Sequence, residues 1–335
     1  MSIILVPIEP YEERYSADWL KWFTDELNNN VEFTVINPEP LTSTIEQGSF
    51  LDVCGTNYYK AKQLAEISKL IHLGFIKDGD TFLFLDLWFP GIEMLAYMRD
   101  ALGIKFKITG CLHAGTWDEH DFLSKKGMQI WACPIEHGWF KIIDQIFVAT
   151  NFHKNLILSH RVVNPDKIKV TGFPIKPILF KQQEKENIVV FPHRLDSEKN
   201  PHLFDKLADE LKDTFKDWSF VRSKDVCSNK QEYYELLNRS KIAVSFADQE
   251  TWGIAMQEAV LCDCIPLVPD RLSYVEMYPR EFRFCSYDDA INALTIYIKY
   301  ISNCEWYTGP IDLKAKFLAN GAETIPNMIR EIKNG

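Results

Sequence analysis

Short apolar runs alternate along the chain with longer stretches whose apolar residues recur at helical spacing, a pattern that predicts strands separated by amphipathic helices. SIILVPI (2–8) predicts a buried first strand and SADWLKWFTDELNN (16–29) the helix after it, with Ser16 as its N-cap. EFTVIN (32–37) predicts the next strand, and YYKAKQLAEISKLIHLG (58–74) a helix closed by Gly74. TFLFLDLWF (81–89) is almost wholly apolar, as expected of a strand covered on both faces. GIEMLAYMRDALG (91–103), FKITGCLHAG (106–115) and QIFVAT (145–150) continue the alternation. A second series follows: strands at 188–192, 218–222, 242–247 and 264–269, and helices at 201–215, 230–240 and 253–262.

Helices of this length between strands imply parallel sheets with right-handed crossovers. The fold class is therefore α/β, with two Rossmann-like parallel-sheet domains expected to face across a cleft at their strand C-terminal ends. Pro, Gly and charge cluster at 173–187, which predicts the linker there. The expected domains are 1–175 and 176–315, with an amphipathic C-terminal helix, 316–335, crossing back to the first.

Composition narrows the function. Hydrophobic residues make up 46% and charged residues 25% of the 335, as in ordinary globular proteins. Aromatics reach 13%, with nine Trp, enough for either a Trp-rich core or aromatic-lined clefts. A net charge of −10 argues against whole-surface binding of nucleic acid and leaves room for a local basic cleft. The basic runs KFK (105–107), KK (125–126) and KIK (167–169) read as solvated faces. Eight scattered Cys show no zinc-type pairing of pairs, and Cys262 and Cys264 read as packing at a helix-to-strand turn. A reducing cytoplasm without disulfides is the expected location. No apolar stretch approaches the ~20 residues of a membrane span, and the opening MSIILVPIEP lacks a basic leader.

Two stretches carry candidate chemistry. FPHRLDSEKNP (191–201) places Arg194 and Lys199 around a turn that follows a strand and precedes a helix. Two cations at a helix N-terminus are what a diphosphate needs: charge, donors and neutralisation of a leaving group. ADQETWG (247–253) places Glu250 in a strand-to-helix loop and Gly253 at the head of the helix, with Glu258 on the helix body. A carboxylate at that second position can accept two adjacent sugar hydroxyls. Asp78-Gly79-Asp80 has the letters of a metal motif but precedes a strand as an ordinary turn does.

HRLDSEKNP together with YYELLNRSKIAVSFADQETWGIAMQEAVLCDCIPLVPDRLSYVEMYP resembles the donor-binding half of retaining GT-B glycosyltransferases, over roughly residues 187–290. Within that segment it is also similar to queuosine-tRNA mannosyltransferase-like proteins. The opening IEPYEERYSADW (8–19) resembles theirs weakly, and also resembles glycosyltransferase-like proteins of tailed phages that attach sugars to hydroxymethylated pyrimidines in DNA. The resemblance implies that Arg194 and Lys199 neutralise the diphosphate of a UDP- or GDP-linked sugar. It also implies that Glu258 holds the nucleotide ribose, that Glu250 lies near the donor sugar, and that the N–H groups of Trp252 and Gly253 meet phosphate or sugar oxygens. Trp252 departs from the Phe or small residue expected there. His113, after an apolar strand, matches a His that lines the cleft beside the sugar. Glu9, Tyr11, Arg14 and Tyr15 in the first strand-to-helix loop, with Asp86 and Trp88 after another strand, form the expected acceptor side.

The implied activity is transfer of a sugar from a nucleotide sugar, with retention and without a metal or other cofactor, to a hydroxyl of a modified nucleobase in DNA or tRNA. The phage-type DNA form is the narrower expectation. A surface glycan or lipid-linked sugar is the alternative acceptor, and a non-catalytic nucleotide-sugar or nucleic-acid binding module is the rival of a different class.

Overall fold

The computed structural model describes residues 1–12, 14–41, 52–179, 183–304 and 307–335. Glu13 of the opening motif and 180–182 of the expected linker lie outside the described residues. The chain divides into two compact units, Met1–Pro174 with Glu323–Gly335, and Ile175–Ala322.

Unit 1 runs β1 (Ile3–Val6), α1 (Tyr15–Asn28), β2 (Phe33–Val35), α2 (Val53–His72), β3 (Thr81–Phe84), α3 (Ile92–Leu102), β4 (Lys107–Cys111), α4 (Phe122–Lys125), α5 (Gln129–Ile142), β5 (Gln145–Val148), α6 (Asn151–His160) and β6 (Ile168–Val170). Its strands form one parallel sheet in the order β2-β1-β3-β4-β5-β6. Every residue of β1 and β3 is buried, because helices cover both faces of a parallel sheet. Phe82, Phe84, Phe89 and Phe106 pack edge to face in the core beneath α3.

Unit 2 runs β7 (Glu186–Phe191), α7 (Pro201–Leu211), β8 (Ser219–Arg222), α8 (Ser223–Val226), α9 (Lys230–Arg239), β9 (Ser240–Val244), α10 (Ile254–Leu261), β10 (Ile265–Pro269), α11 (Tyr274–Met277), β11 (Arg283–Phe284) and α12 (Tyr287–Asn303). Its parallel sheet is ordered β11-β10-β9-β7-β8, with Phe191, Phe204, Phe246 and Leu267 at its core. The last helix, α13 (Ile311–Asn334), begins in unit 2, and its final turns belong to unit 1. There Met328, Ile329 and Ile332 are buried, and Gln145 Nε2 donates to the Glu331 carbonyl at 3.1 Å.

Several sequence expectations shift. Ser16 does not cap α1: Arg14 occupies the N-cap, and Ser16, inside the first turn, accepts from Tyr11 N at 3.1 Å. The expected strand at 81–89 ends at Phe84, where the chain bends so that Asp86 accepts from Trp88 N at 3.1 Å. Leu87 and Phe89 stay buried outside the ladder, so the apolar run records burial and not an extended strand. Lys167 of the run KIK is spent capping α5, its Nζ donating to the carbonyls of Phe140, Lys141 and Ile143. Cys262 and Cys264 are buried at the α10–β10 turn, and Trp19, Trp117, Trp139 and Trp218 are buried in the interior.

The two sheets share a local order. β1 is flanked by β2 and β3, and β7 by β8 and β9, so strand order reverses at β1/β3 and at β7/β9. Crevices outside the strand C-terminal ends at such reversals are where open α/β sheets bind ligands.

Candidate functional site

The β7/β9 reversal is built from the loop 192–200 after β7 and the loop 245–253 after β9. Asn200 ties them together: in the left-handed region at φ 53, it directs Nδ2 to the Phe246 carbonyl at 3.0 Å and to Asp248 Oδ2 at 2.6 Å. Asp248 N in turn donates to the Glu198 carbonyl at 2.8 Å. Pro201 then opens α7, at a position where its missing N–H costs nothing.

Lys199 and Glu250 meet in this frame. Lys199 is 6% exposed, and its Nζ donates to the Gln249 carbonyl and to Glu250 Oε2 at 3.3 Å. Glu250 Oε1 accepts from Gly253 N at 2.8 Å and Trp252 N at 3.4 Å. Gly253 sits at φ 66 as the N-cap of α10, and a Cβ there would lie 3.1 Å from the Tyr274 ring, so glycine suits both the backbone and the space. Burial pushes the Glu250 carboxyl up, but Lys199 first, with the Gly253 N–H, outweighs it and holds the group below its ordinary value. Glu250 is thus an anion at neutral pH, held by a cation and by the positive end of a helix.

Glu258 is no solvated helix residue. Its Oε1 accepts from Tyr234 Oη at 2.9 Å and its Oε2 from Tyr233 Oη at 3.2 Å, both phenols coming from α9. Burial first, and the Glu258 charge second, push the Tyr233 hydroxyl well above its ordinary value, so it remains a donor. Arg194 is half-buried and paired with Asp196 and, at 3.7 Å, with Glu198.

The N–H groups of Trp252 and Gly253, assigned by resemblance to ligand oxygens, donate instead to Glu250. A buried carboxylate must be satisfied by the donors within reach, and these are adjacent in the loop.

Two residues at the reversal were missed from sequence. His193, directly before Arg194, is 3% exposed, and its Nε2 has no hydrogen-bond partner among the described residues. Burial lowers it to about 3; Lys199 pushes the same way and Glu250 opposes, so the ring is neutral. Arg271 follows β10 and reaches Asp248 Oδ1 at 2.6 Å and the carbonyls of Ala247 and Phe246 at 3.1 Å, adding a further cation. Its place just after a strand of a parallel sheet was the available signal.

The acceptor-side residues lie in unit 1. His113 follows β4, its Nε2–H donating to the Leu85 carbonyl at 2.8 Å, and its ring lies among Tyr15, Trp19 and Phe173 with centroids 4.7–5.9 Å away. Burial lowers its pKa, although Asp86 and the Leu85 carbonyl favour the charged form. Asp86 pairs with Lys60 at 3.3 Å. Trp88 donates its indole N–H to Glu136 at 3.0 Å and packs edge-on to Trp139, so that end of the ring is anchored in the fold. Glu136 also accepts from Thr116 and from Arg161 Nη2 at 2.8 Å, a buried and saturated pair. Glu9 accepts from Thr56 Oγ1 at 2.9 Å, Tyr11 is buried and Arg14 half-buried. Among the described residues no cluster of His, Cys, Asp and Glu is placed to hold a metal ion, and no helix is long and apolar enough to cross a membrane.

With two parallel sheets in one chain, the structure has the GT-B fold of glycosyltransferases, and solved structures of that fold align over the whole chain. HepE of Anabaena, solved in complex with UDP, is 11% identical with a TM-score of 0.61, and each chain covers 100% of the other. The lipopolysaccharide outer core galactosyltransferase WaaB is 12% identical with a TM-score of 0.60, covering 100% of this chain and 99% of that one. By sequence, the chain is 28% identical to the tRNA-queuosine alpha-mannosyltransferase of Drosophila melanogaster, over 37% of this chain and 39% of that protein's length. No family model matches.

Proposed function

We propose that the chain is a retaining glycosyltransferase that uses a nucleotide sugar. The observation that carries this is the buried Lys199–Glu250 pair at the β7/β9 reversal, with Glu250 held on the Gly253 N–H and Glu258 held one turn along the same helix. Arg194 and Lys199 supply the charge that a departing diphosphate needs, and Arg271 adds to it. Glu258, its carboxylate positioned by two phenols, receives the ribose hydroxyls. Glu250 orients the Lys199 ammonium and lies near the sugar. A phosphate oxygen of the donor takes the acceptor proton on the face where the diphosphate leaves, which retains configuration. The likeness to HepE, solved with UDP, supports a uridine nucleotide as a first choice.

The proposed acceptor is a hydroxyl of a modified nucleobase. Support comes from the similarity to an enzyme that acts on queuosine in tRNA and from the resemblance of the opening motif to phage proteins that modify DNA. The net charge of −10 favours a second acceptor, a surface glycan or lipid-linked sugar.

A thermal-shift panel of nucleoside diphosphates and their sugars tests the donor site; no shift with any of them refutes it. Labelled-sugar transfer to hydroxymethylated DNA, unmodified DNA, tRNA and lipid-linked oligosaccharide then decides the acceptor. Because protein cations carry the diphosphate in this reading, transfer is expected to survive chelation, and loss restored by manganese contradicts it.

A further inference from the structure

A net charge of −10 leaves any nucleic-acid contact to a local basic groove, and unit 1 contains one. β6 is the edge strand of its sheet, paired with β5 on one side, and a cavity of about 450 Å³ opens between it, α6 and the final turns of α13. All three elements belong here to the same compact unit. Lys154 of α6, Lys169 of β6 and Arg330 of α13 line the cavity, and Glu331 is the one acid among the described residues that line it.

The partners of these cations decide what the groove can hold. Lys169 pairs with Glu331 at 3.5 Å. Lys154 Nζ donates to the Ile168 carbonyl at 2.8 Å, and Arg330 Nη1 donates to Asn327 Oδ1 at 2.8 Å. Both of those acceptors are neutral, and neither cation forms an ion pair among the described residues. Arg194, Lys199 and Arg271 differ, each being paired with a carboxylate. The strand adds a donor. Thr171 N bonds the Val148 carbonyl at 3.1 Å, so the alternation of a strand turns the Val170 N–H to the opposite side, where the Ile168 carbonyl receives Lys154.

Two cations on neutral acceptors beside an outward N–H suit a solvated anion, and successive phosphates of a polynucleotide meet that description. A membrane site would set large apolar side chains among the cations. Here Val170, 39% exposed, is the one exposed large apolar residue of the described lining. We propose that this groove holds the phosphodiester backbone of the nucleic acid whose base receives the sugar, with Lys154 and Arg330 each on a phosphate. The proposal rests on the nucleobase-acceptor reading and deepens it.

Fluorescence anisotropy with the full chain tests it. The probes are a DNA duplex containing 5-hydroxymethylcytosine, the same duplex unmodified, tRNA, and vesicles of phosphatidylglycerol in phosphatidylcholine. Lys154→Gln keeps a donor for the Ile168 carbonyl, and Arg330→Gln keeps one for Asn327. Each is expected to weaken both duplexes by the same factor, about fivefold at about 0.1 M salt, and to lower the slope of log affinity against log salt by about 0.9. Arg330→Lys keeps the charge and is expected to keep the slope. The same losses with tRNA in place of DNA would uphold the groove and assign it to RNA. Failure of the wild type to bind either duplex or tRNA, an unchanged slope in both glutamine variants, an equal fall in Arg330→Lys, or a loss confined to vesicle binding would each overturn the proposal. The melting-temperature shift with UDP is expected to be the same in every variant. No nucleic-acid binding with that shift intact strikes the groove and leaves the donor reading standing. The slope change without any UDP shift strikes the transferase reading and leaves the groove.

Discussion

The two units wind their sheets in the same local order around β1 and around β7, yet they treat charge at the reversal in opposite ways. Unit 2 buries a carboxylate and supplies it at once with an ammonium and backbone N–H groups. Unit 1 buries Glu9 with Oε2 bonded to Thr56 and, among the described residues, no partner for Oε1. Where unit 1 does saturate a buried acid, it does so elsewhere, at Glu136 with Arg161, Thr116 and Trp88. One topology therefore yields both a buried acid that carries its own counter-charge and a buried acid held by a single hydroxyl among the described residues. Fold alone does not choose between them, and side chains do.

The comparison can be broken most sharply at the saturated pair. Arg161→Met leaves Glu136 charged and enclosed, and is expected to cost about 3–5 kcal/mol of stability, read by urea denaturation; a loss below about 1 kcal/mol would mean the pair is not the staple its geometry suggests. Next come Glu250→Ala and Arg194→Ala, each expected to leave a folded protein whose transfer falls by the equivalent of about 2–5 kcal/mol. Unchanged turnover in either variant removes the functional side of the comparison.

Acid sensitivity is a subtler probe. His193 in unit 2 and His153 in unit 1 are both lowered to about 3 by burial, from an ordinary value of 6.5. The unfolded chain takes up these protons as pH falls through 6.5 while the folded one does not. Stability is therefore complete above that pH and declines toward pH 3, at up to about 1.4 kcal/mol per group per pH unit. Glu250, held below its ordinary 4.5, adds a loss of the same sign further down. Denaturant midpoints measured against pH should show the decline, and His193→Asn should flatten part of it. The smallest effect is expected from Tyr234→Phe, which removes one of the two phenols on Glu258 and should weaken nucleotide binding by about 1 kcal/mol in calorimetric titration.

How much of this was legible in the sequence follows from what sequence records. Alternation of apolar runs and amphipathic stretches is a local property, so strands such as IILV and IPLVP and the helices around Trp19 and Phe204 could be read directly. Helix α5 could not, because Pro134 and Gly138 interrupt its sequence and apolar residues such as Ile130, Trp131 and Ile135 lie on its exposed side, which blurs the helical spacing. The Arg194, Lys199, Glu250 and Glu258 set was visible through spacing and resemblance. The phenols that seat Glu258 stand 24 and 25 residues before it, and nothing local links them. That His193 is enclosed, or that Glu9 Oε1 has no partner among the described residues, depends on neighbours from other elements and has no sequence signature.

The make-up of unit 1 from 1–174 and 323–335 also bears on biosynthesis. The stretch 175–322 is contiguous and can close its core as soon as it leaves the ribosome. The amino-terminal unit is completed by Met328, Ile329 and Ile332, which are translated last. A chain truncated after Ala322 should therefore be cleaved by protease earlier in unit 1 than the full chain, while unit 2 keeps its whole core.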